Sequence, residues 1–204
     1  MKKRILQSLT EHRAVHESLR NECGAILRVS DLLVEAFQNG RKLLVVGNGG
    51  AASDAAHLAA ELVATFTFKR RGLPAICLSS NVSTITAWTN DFSFDTLYER
   101  QVETFGRPGD VFLALSSGGG SLEPGQSVNI ALAAKKAKEM GLFVIGFTGK
   151  TGGALKKFAD PCIIVKSQVT ARIQEAHMTL FHVIIDLIDE KMFGKEREGR
   201  RSGK

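Results

Sequence analysis

"LLVVGNGGAASDAAHLAAEL", residues 43–62, decides the fold. It opens on a continuous apolar run, turns on glycines, and closes with apolar residues at helical spacing. A run apolar at every position reads as a strand covered on both faces, the habit of parallel sheets. A tight glycine turn from such a strand straight into a helix is half of a βαβ unit. The helix start after that turn offers free N–H groups and the positive end of a dipole, which suits a phosphate.

Outward from this stretch, strand-like runs recur as "PAICLSS", "DVFLALSS", "LFVIGFTG" and "PCIIVKS". Helical segments at about 53–65, 95–105, 127–140, 152–158 and 170–193 separate or flank them, and two more come first, at 3–20 and 24–38. The pattern predicts a doubly wound α/β domain over residues 1–194, with a parallel sheet covered on both faces. Residues 1–39 form a helical N-terminal extension packed on it. The end of the chain, "KEREGRRSGK" (195–204), is polar and glycine-bearing and is expected to be a disordered basic tail.

Composition narrows the function. The chain has 204 residues, 44% of them hydrophobic, enough for a real core. No apolar run approaches the roughly 18 residues that span a bilayer. The basic opening "MKKRILQSLTEHRAVHE" meets charged residues before any apolar signal core. A cytoplasmic protein is expected. Cys23, Cys77 and Cys162 are too scattered for a disulfide framework or zinc-finger spacing. The net charge of +6 suits an acidic small partner. Much of it sits in the tail and in "KRRG" (69–72), where a solvated surface is the ordinary reading. With one Trp and one Tyr there is no stacking platform for bases, so nucleic acid is an unlikely partner.

In doubly wound sheets the ligand crevice lies beyond the carboxyl ends of the strands. There the chain places "GNGGAAS", "SSNVST", "SSGGGS", "TGKTGG" and "SQVT". Several small polar loops on one edge point to phosphate binding. "GNGGAAS" breaks the G-x-G-x-x-G pattern at Ser53, and no G-x-x-x-x-G-K-[ST] loop is present, which argues against dinucleotides and nucleoside triphosphates. Two helical stripes that carry titratable groups complete the list. His57 and Glu61 stand i, i+4 on one helical face, with Asp54 on the same stripe. Gln174, Met178 and His182 stand i, i+4, i+8 on the last helix, with His182 inside the apolar "LFHVIIDLI". Each set alone has an ordinary reading: a solvated helix pair, and a core histidine bonded to a carbonyl. His177 lies off the stripe and is left out.

Taken together, "GNGG…DAAHLAAEL", "LPAICL", "TAWTNDF", "GDVFLALSS", "GFTGKTGG" and "RIQEAH…H" resemble the phosphoheptose isomerases of the SIS (sugar isomerase) family, from about residue 40 to 194. The resemblance implies a three-layer α/β/α sandwich with a five-stranded parallel, flavodoxin-like sheet. It also implies a homotetramer with active sites between subunits. The activity implied is interconversion of sedoheptulose 7-phosphate and D-glycero-D-manno-heptose 7-phosphate through an enediol(ate), feeding heptose biosynthesis. Carried over, Glu61 and His182 match the acid–base pair, and Asp91 in "TNDF" matches an aspartate near the sugar. Asn48, Gly49, Gly50, Ser116, Ser117, Ser121 and Gln174 match the substrate and phosphate contacts. His57, Glu61, Gln174 and His182 match a zinc site of the family, so zinc is the expected cofactor.

The chain also departs from the family. The usual Ser-Thr-Ser-Gly-Asn-Ser loop reads "SSGGGS", with Gly118 in place of a serine. "LEPGQS" (122–127) looks inserted, and a shifted alignment substitutes Ser127 for Ser121. Ala51 and Ala171 stand where many members carry serine and some carry aspartate. Non-catalytic relatives on this fold, such as a replication-initiator-associating protein or a phosphosugar sensor, do not need the acid–base pair. His57, Glu61 and His182 favour the enzyme.

Overall fold

The computed structural model describes the backbone of residues 1–202 and the side chains of residues 1–194. Five strands, β1 (Leu43–Gly47), β2 (Ala75–Cys77), β3 (Val111–Ser116), β4 (Phe143–Gly149) and β5 (Cys162–Val165), form one parallel sheet. Their order is β2-β1-β3-β4-β5, the flavodoxin-like arrangement expected. In β1 every residue is buried, because alternate side chains enter two different cores. Leu43 and Val45 join one, Leu44 and Val46 the other.

The first core lies under α2 (Cys23–Gln38), α3 (Gly50–Val63) and α8 (Thr170–Ser202). The second lies under α5 (Leu97–Phe105) and α6 (Val128–Glu139). Ala133, Ala134 and Ala137 line the inner face of α6, so that helix packs tightly on the sheet. The helices α4 (Val82–Asp91) and α7 (Leu155–Phe158) complete the crossovers. The N-terminal helix α1 (Lys2–Ser18) lies along α8, where Arg172 Nη1 donates to the Ser8 carbonyl at 2.7 Å and His12 pairs with Glu175 at 2.9 Å.

Three boundaries differ from the sequence pattern. α3 starts at Gly50, because the turn needs only Asn48 and Gly49, the latter at φ 56°. α4 was not expected: "VSTITAWTND" is rich in β-branched residues of low helix propensity. Its N-cap is set by Asn81, whose side chain accepts from the Thr84 N–H. α8 continues to Ser202, into the tail expected to be disordered; Lys, Glu and Arg are good helix formers and extend a helix already nucleated on the core. Residues 203 and 204 of that tail lie outside the described residues. Among the described residues no helix is long and apolar enough to cross a membrane.

Candidate active site

The sheet order reverses at β1, whose neighbours are β2 on one side and β3 on the other. The loops leaving β1 and β3 therefore flank the crevice where such folds bind ligands. A reciprocal amide pair ties the two sides together. Asn48 Nδ2 donates to Asn129 Oδ1 at 2.8 Å, and Asn129 Nδ2 donates back to Asn48 Oδ1 at 3.1 Å. Asn129 is buried and holds the expected substrate residue Asn48 in one orientation. The β3 loop is locked in turn. Gly119 sits at φ 76°, and a Cβ there would lie 2.0 Å from the Gly152 carbonyl oxygen, so only glycine lets the two loops interlock. Gly50 meets Gln174, whose Nε2 would be 2.6 Å from a Cβ at that position.

Of the expected substrate residues, Asn48 is tied to the start of the helix after β3 through Asn129, and Gln174 lies against Gly50 at the start of α3. Ser116 is buried and its Oγ accepts from the Gly119 N–H, so it shapes the loop. Ser121 is engaged within the inserted turn, accepting from the Glu123 N–H at 3.1 Å. Ser127, at the start of α6, is nearer the crevice, 3.4 Å from Asn48 Nδ2. The pattern reading missed Asn129; its only signal was an amide on the apolar face of a helix. Asn129→Ala leaves the Asn48 amide without its partner and is expected to raise KM about tenfold with little change in kcat, readable by steady-state kinetics.

The proton-moving groups meet on the packed faces of α3 and α8. His57 Nε2–H donates to Glu61 Oε1 at 3.1 Å, since an ionised carboxylate only accepts. The His57 ring stands edge-on to that of His182, centroids 5.1 Å apart, and Phe66 stacks flat on His182 at 5.1 Å and 2°. Burial, then the neighbouring His57, pull the His182 pKa below the ordinary imidazole value; Glu61 and Asp186 oppose them. His182 is therefore held neutral around pH 7. On the same stripe, Asp54 is buried and its carboxyl is pushed up by burial, against the pull of His57. Asp91, at the end of α4, is exposed and accepts from its neighbour Asn90 at 2.8 Å. The structure does not bring it into the His57–Glu61–His182 cluster.

His177, left out of the stripe, is a core residue. It is fully buried, bonds the Thr148 carbonyl at 3.2 Å, and burial depresses its pKa to about 4. The unfolded chain, with an ordinary imidazole, binds the proton first. Stability is therefore full above about pH 6.5 and falls as pH drops toward 4, by about 3 kcal/mol. Urea midpoints at pH 7 and pH 4.5 check this, and His177→Phe should flatten the dependence. "KRRG" also differs from its solvated reading. Arg70 is buried and bonded to Asp189 and to the last carbonyls of α3, which need donors at a helix end.

The expected zinc ligands divide within one chain. His57, Glu61 and His182 are donors of zinc type and lie together. Gln174 is two turns before His182, about 12 Å along the axis, with its amide against Gly50. Zinc donors stand about 2.0–2.2 Å from the ion, so a site shared by all four needs these side chains to turn toward one point. Among the described residues no group of three or more His, Cys, Asp or Glu is arranged to hold a metal.

Comparison with known proteins identifies the family. The SIS domain family model matches residues 9–149. A phosphoheptose isomerase of Clostridium acetobutylicum is 43% identical over 171 residues, covering 84% of each chain. Another, from Geotalea daltonii, is 42% identical over 95% of this chain and 98% of its own length. Among solved structures, phosphoheptose isomerases of Neisseria gonorrhoeae (TM-score 0.83, covering 93% of this chain and 98% of that one) and Francisella tularensis (TM-score 0.85, 92% and 97%) are each 32% identical. The chain belongs to the phosphoheptose isomerases of the SIS domain family.

Proposed function

We propose that this protein interconverts sedoheptulose 7-phosphate and D-glycero-D-manno-heptose 7-phosphate, in heptose biosynthesis. The observation that carries the reading is the Glu61 carboxylate, held by His57 with His182 beside it, in a fold whose β1 and β3 loops form a phosphate-suited crevice. Glu61 takes a proton from C1 of the ketose as the C1–H electrons form the C1=C2 bond of the enediol(ate). Its return to C2 gives the aldose. His182, neutral through burial, moves the compensating proton between O1 and O2. Incubating the protein with sedoheptulose 7-phosphate and following the aldose by NMR tests the reading; phosphosugar binding without turnover would leave a sensor instead.

The proposal extends to a homotetramer whose sites are completed between copies. Glu61 stands about 16 Å along α3 from Gly50, a long reach for one seven-carbon phosphate. Large apolar side chains lie exposed on α1 (Ile5, Leu6, Leu9) and on α8 beside His182 (Met178, Val183). Such surface is what an assembly covers. Light scattering should give about four times the chain mass of 22.1 kDa; a stable monomer at micromolar concentration would count against shared sites. Zinc belongs to the same proposal, with His57, Glu61, Gln174 and His182 as the donors once their side chains turn toward one point. Equilibrium dialysis of the assembled protein against zinc reads it directly.

A further inference from the structure

Between α3 and β2 the chain crosses the face of α8, and this segment carries a buried ion pair that the reaction itself does not use. Arg70 Nε donates to Asp189 Oδ1 at 2.5 Å, with both side chains at 0% exposure. The rest of the guanidinium faces the end of α3. Nη2 donates to the carbonyl of Glu61 at 3.0 Å, and Nη1 to the carbonyls of Leu62 at 2.9 Å and Arg71 at 3.1 Å. One planar fork therefore grips the main chain of Glu61 and the helix that carries His182. The same segment presents Phe66, whose ring lies flat on the His182 imidazole. At its far end Arg70 and Arg71 sit 5.8 and 5.7 Å from the Phe193 ring centre.

We propose that Arg70 is a positioning residue of the isomerase: bridging the Glu61 carbonyl and Asp189, it fixes the general base on α3 relative to His182 on α8. The inference rests on Glu61 and His182 being the acid–base pair. A buried ion pair is weak evidence of stability, because apolar residues of similar volume often serve as well. What apolar residues cannot reproduce is the set of directed bonds to the Glu61 and Leu62 carbonyls. Lysine cannot reproduce them either, having one donor atom in place of a rigid fork. The phosphate-binding loops lie at the opposite end of α3. Loss of the fork should therefore disturb the chemistry and leave substrate capture in place.

The test compares four full-length proteins: the parent, Arg70→Lys, the double variant Arg70→Met/Asp189→Leu, and Glu61→Gln as control. Folding is followed by circular dichroism and thermal unfolding, and kcat and KM are measured on sedoheptulose 7-phosphate. A small displacement of a reacting group costs up to about 10²-fold in rate. The expected result is a folded Arg70→Lys and a folded double variant, each with kcat reduced by about that factor and KM unchanged. A parental kcat in either folded variant would overturn the inference, as would a raised KM with kcat kept. Failure of both variants to fold would overturn it too, the pair then being required for folding as such. Full turnover in Glu61→Gln would instead remove the acid–base reading, and the positioning role with it.

Discussion

Glu61→Gln is expected to lower kcat by about 10²–10⁴-fold, the usual worth of one general acid–base group. The amide keeps the size of the carboxylate and still accepts from His57 Nε2, bonded to Glu61 at 3.1 Å in the parent. It cannot take a proton from carbon at neutral pH. In the proposed reading substrate capture rests on the loops after β1 and β3 and the start of α6, at the opposite end of α3 from Glu61, so KM should change little. Steady-state kinetics on sedoheptulose 7-phosphate separate the two. Near-parental turnover would place the base elsewhere. A rise in KM with turnover kept would make Glu61 a binding residue.

The second large effect is on stability. Asp189→Ala leaves the Arg70 guanidinium buried with its carboxylate gone, and Arg70 has no exposed side-chain surface through which water could replace it. Breaking one side of such a pair costs about 3–5 kcal/mol, a large share of the roughly 5–15 kcal/mol that holds a domain together. In a chain of this size the loss corresponds to about 10 °C in Tm. The measurement is thermal or urea unfolding of parent and variant side by side. Arg70→Met/Asp189→Leu, which removes both charges, should recover most of that stability. A parental Tm for Asp189→Ala would show that the ion pair contributes nothing net.

Much of this fold was legible because its signals are periodic and local. The fully apolar β1, the glycine turn at Asn48–Gly49 and the stripe through His57 and Glu61 can be read without any partner. So can the doubly wound order, from the alternation of apolar runs with helical segments. The failures share a cause: each depends on a contact distant in sequence. Arg70 read as part of a solvated basic run because its partner, Asp189, lies 119 residues away. Asn129 carried no local motif, and only the fold sets it against Asn48, 81 residues earlier. α4 was hidden by β-branched residues of low helix propensity, although its Asn81 cap is a local signal.

The site was partly legible for the same reason. Spacing put His57 with Glu61 on one stripe and Gln174 with His182 on another, and the structure brings His57, Glu61 and His182 together. Spacing gives no relative direction of two helices. α3 and α8 run side by side in the same sense, with Gly50 against Gln174 and His57 against Phe181 and His182. Gln174 therefore has its amide beside Gly50 at the helix starts, about two turns along α8 from His182. The departures at Gly118 and "LEPGQS" show the converse. The loop is locked by the interlock of Gly119 with Gly152, and Ser127 Oγ stands 3.4 Å from Asn48 Nδ2.

The most direct test of the central claim, that Glu61 moves the carbon-bound proton, is hydrogen exchange in deuterated water. Parent protein and Glu61→Gln are incubated with sedoheptulose 7-phosphate in D₂O, and deuterium at C1 of the ketose and C2 of the aldose is followed by NMR. Exchange by the parent and none above background by Glu61→Gln is the predicted result. Exchange by Glu61→Gln at the parental rate would contradict it.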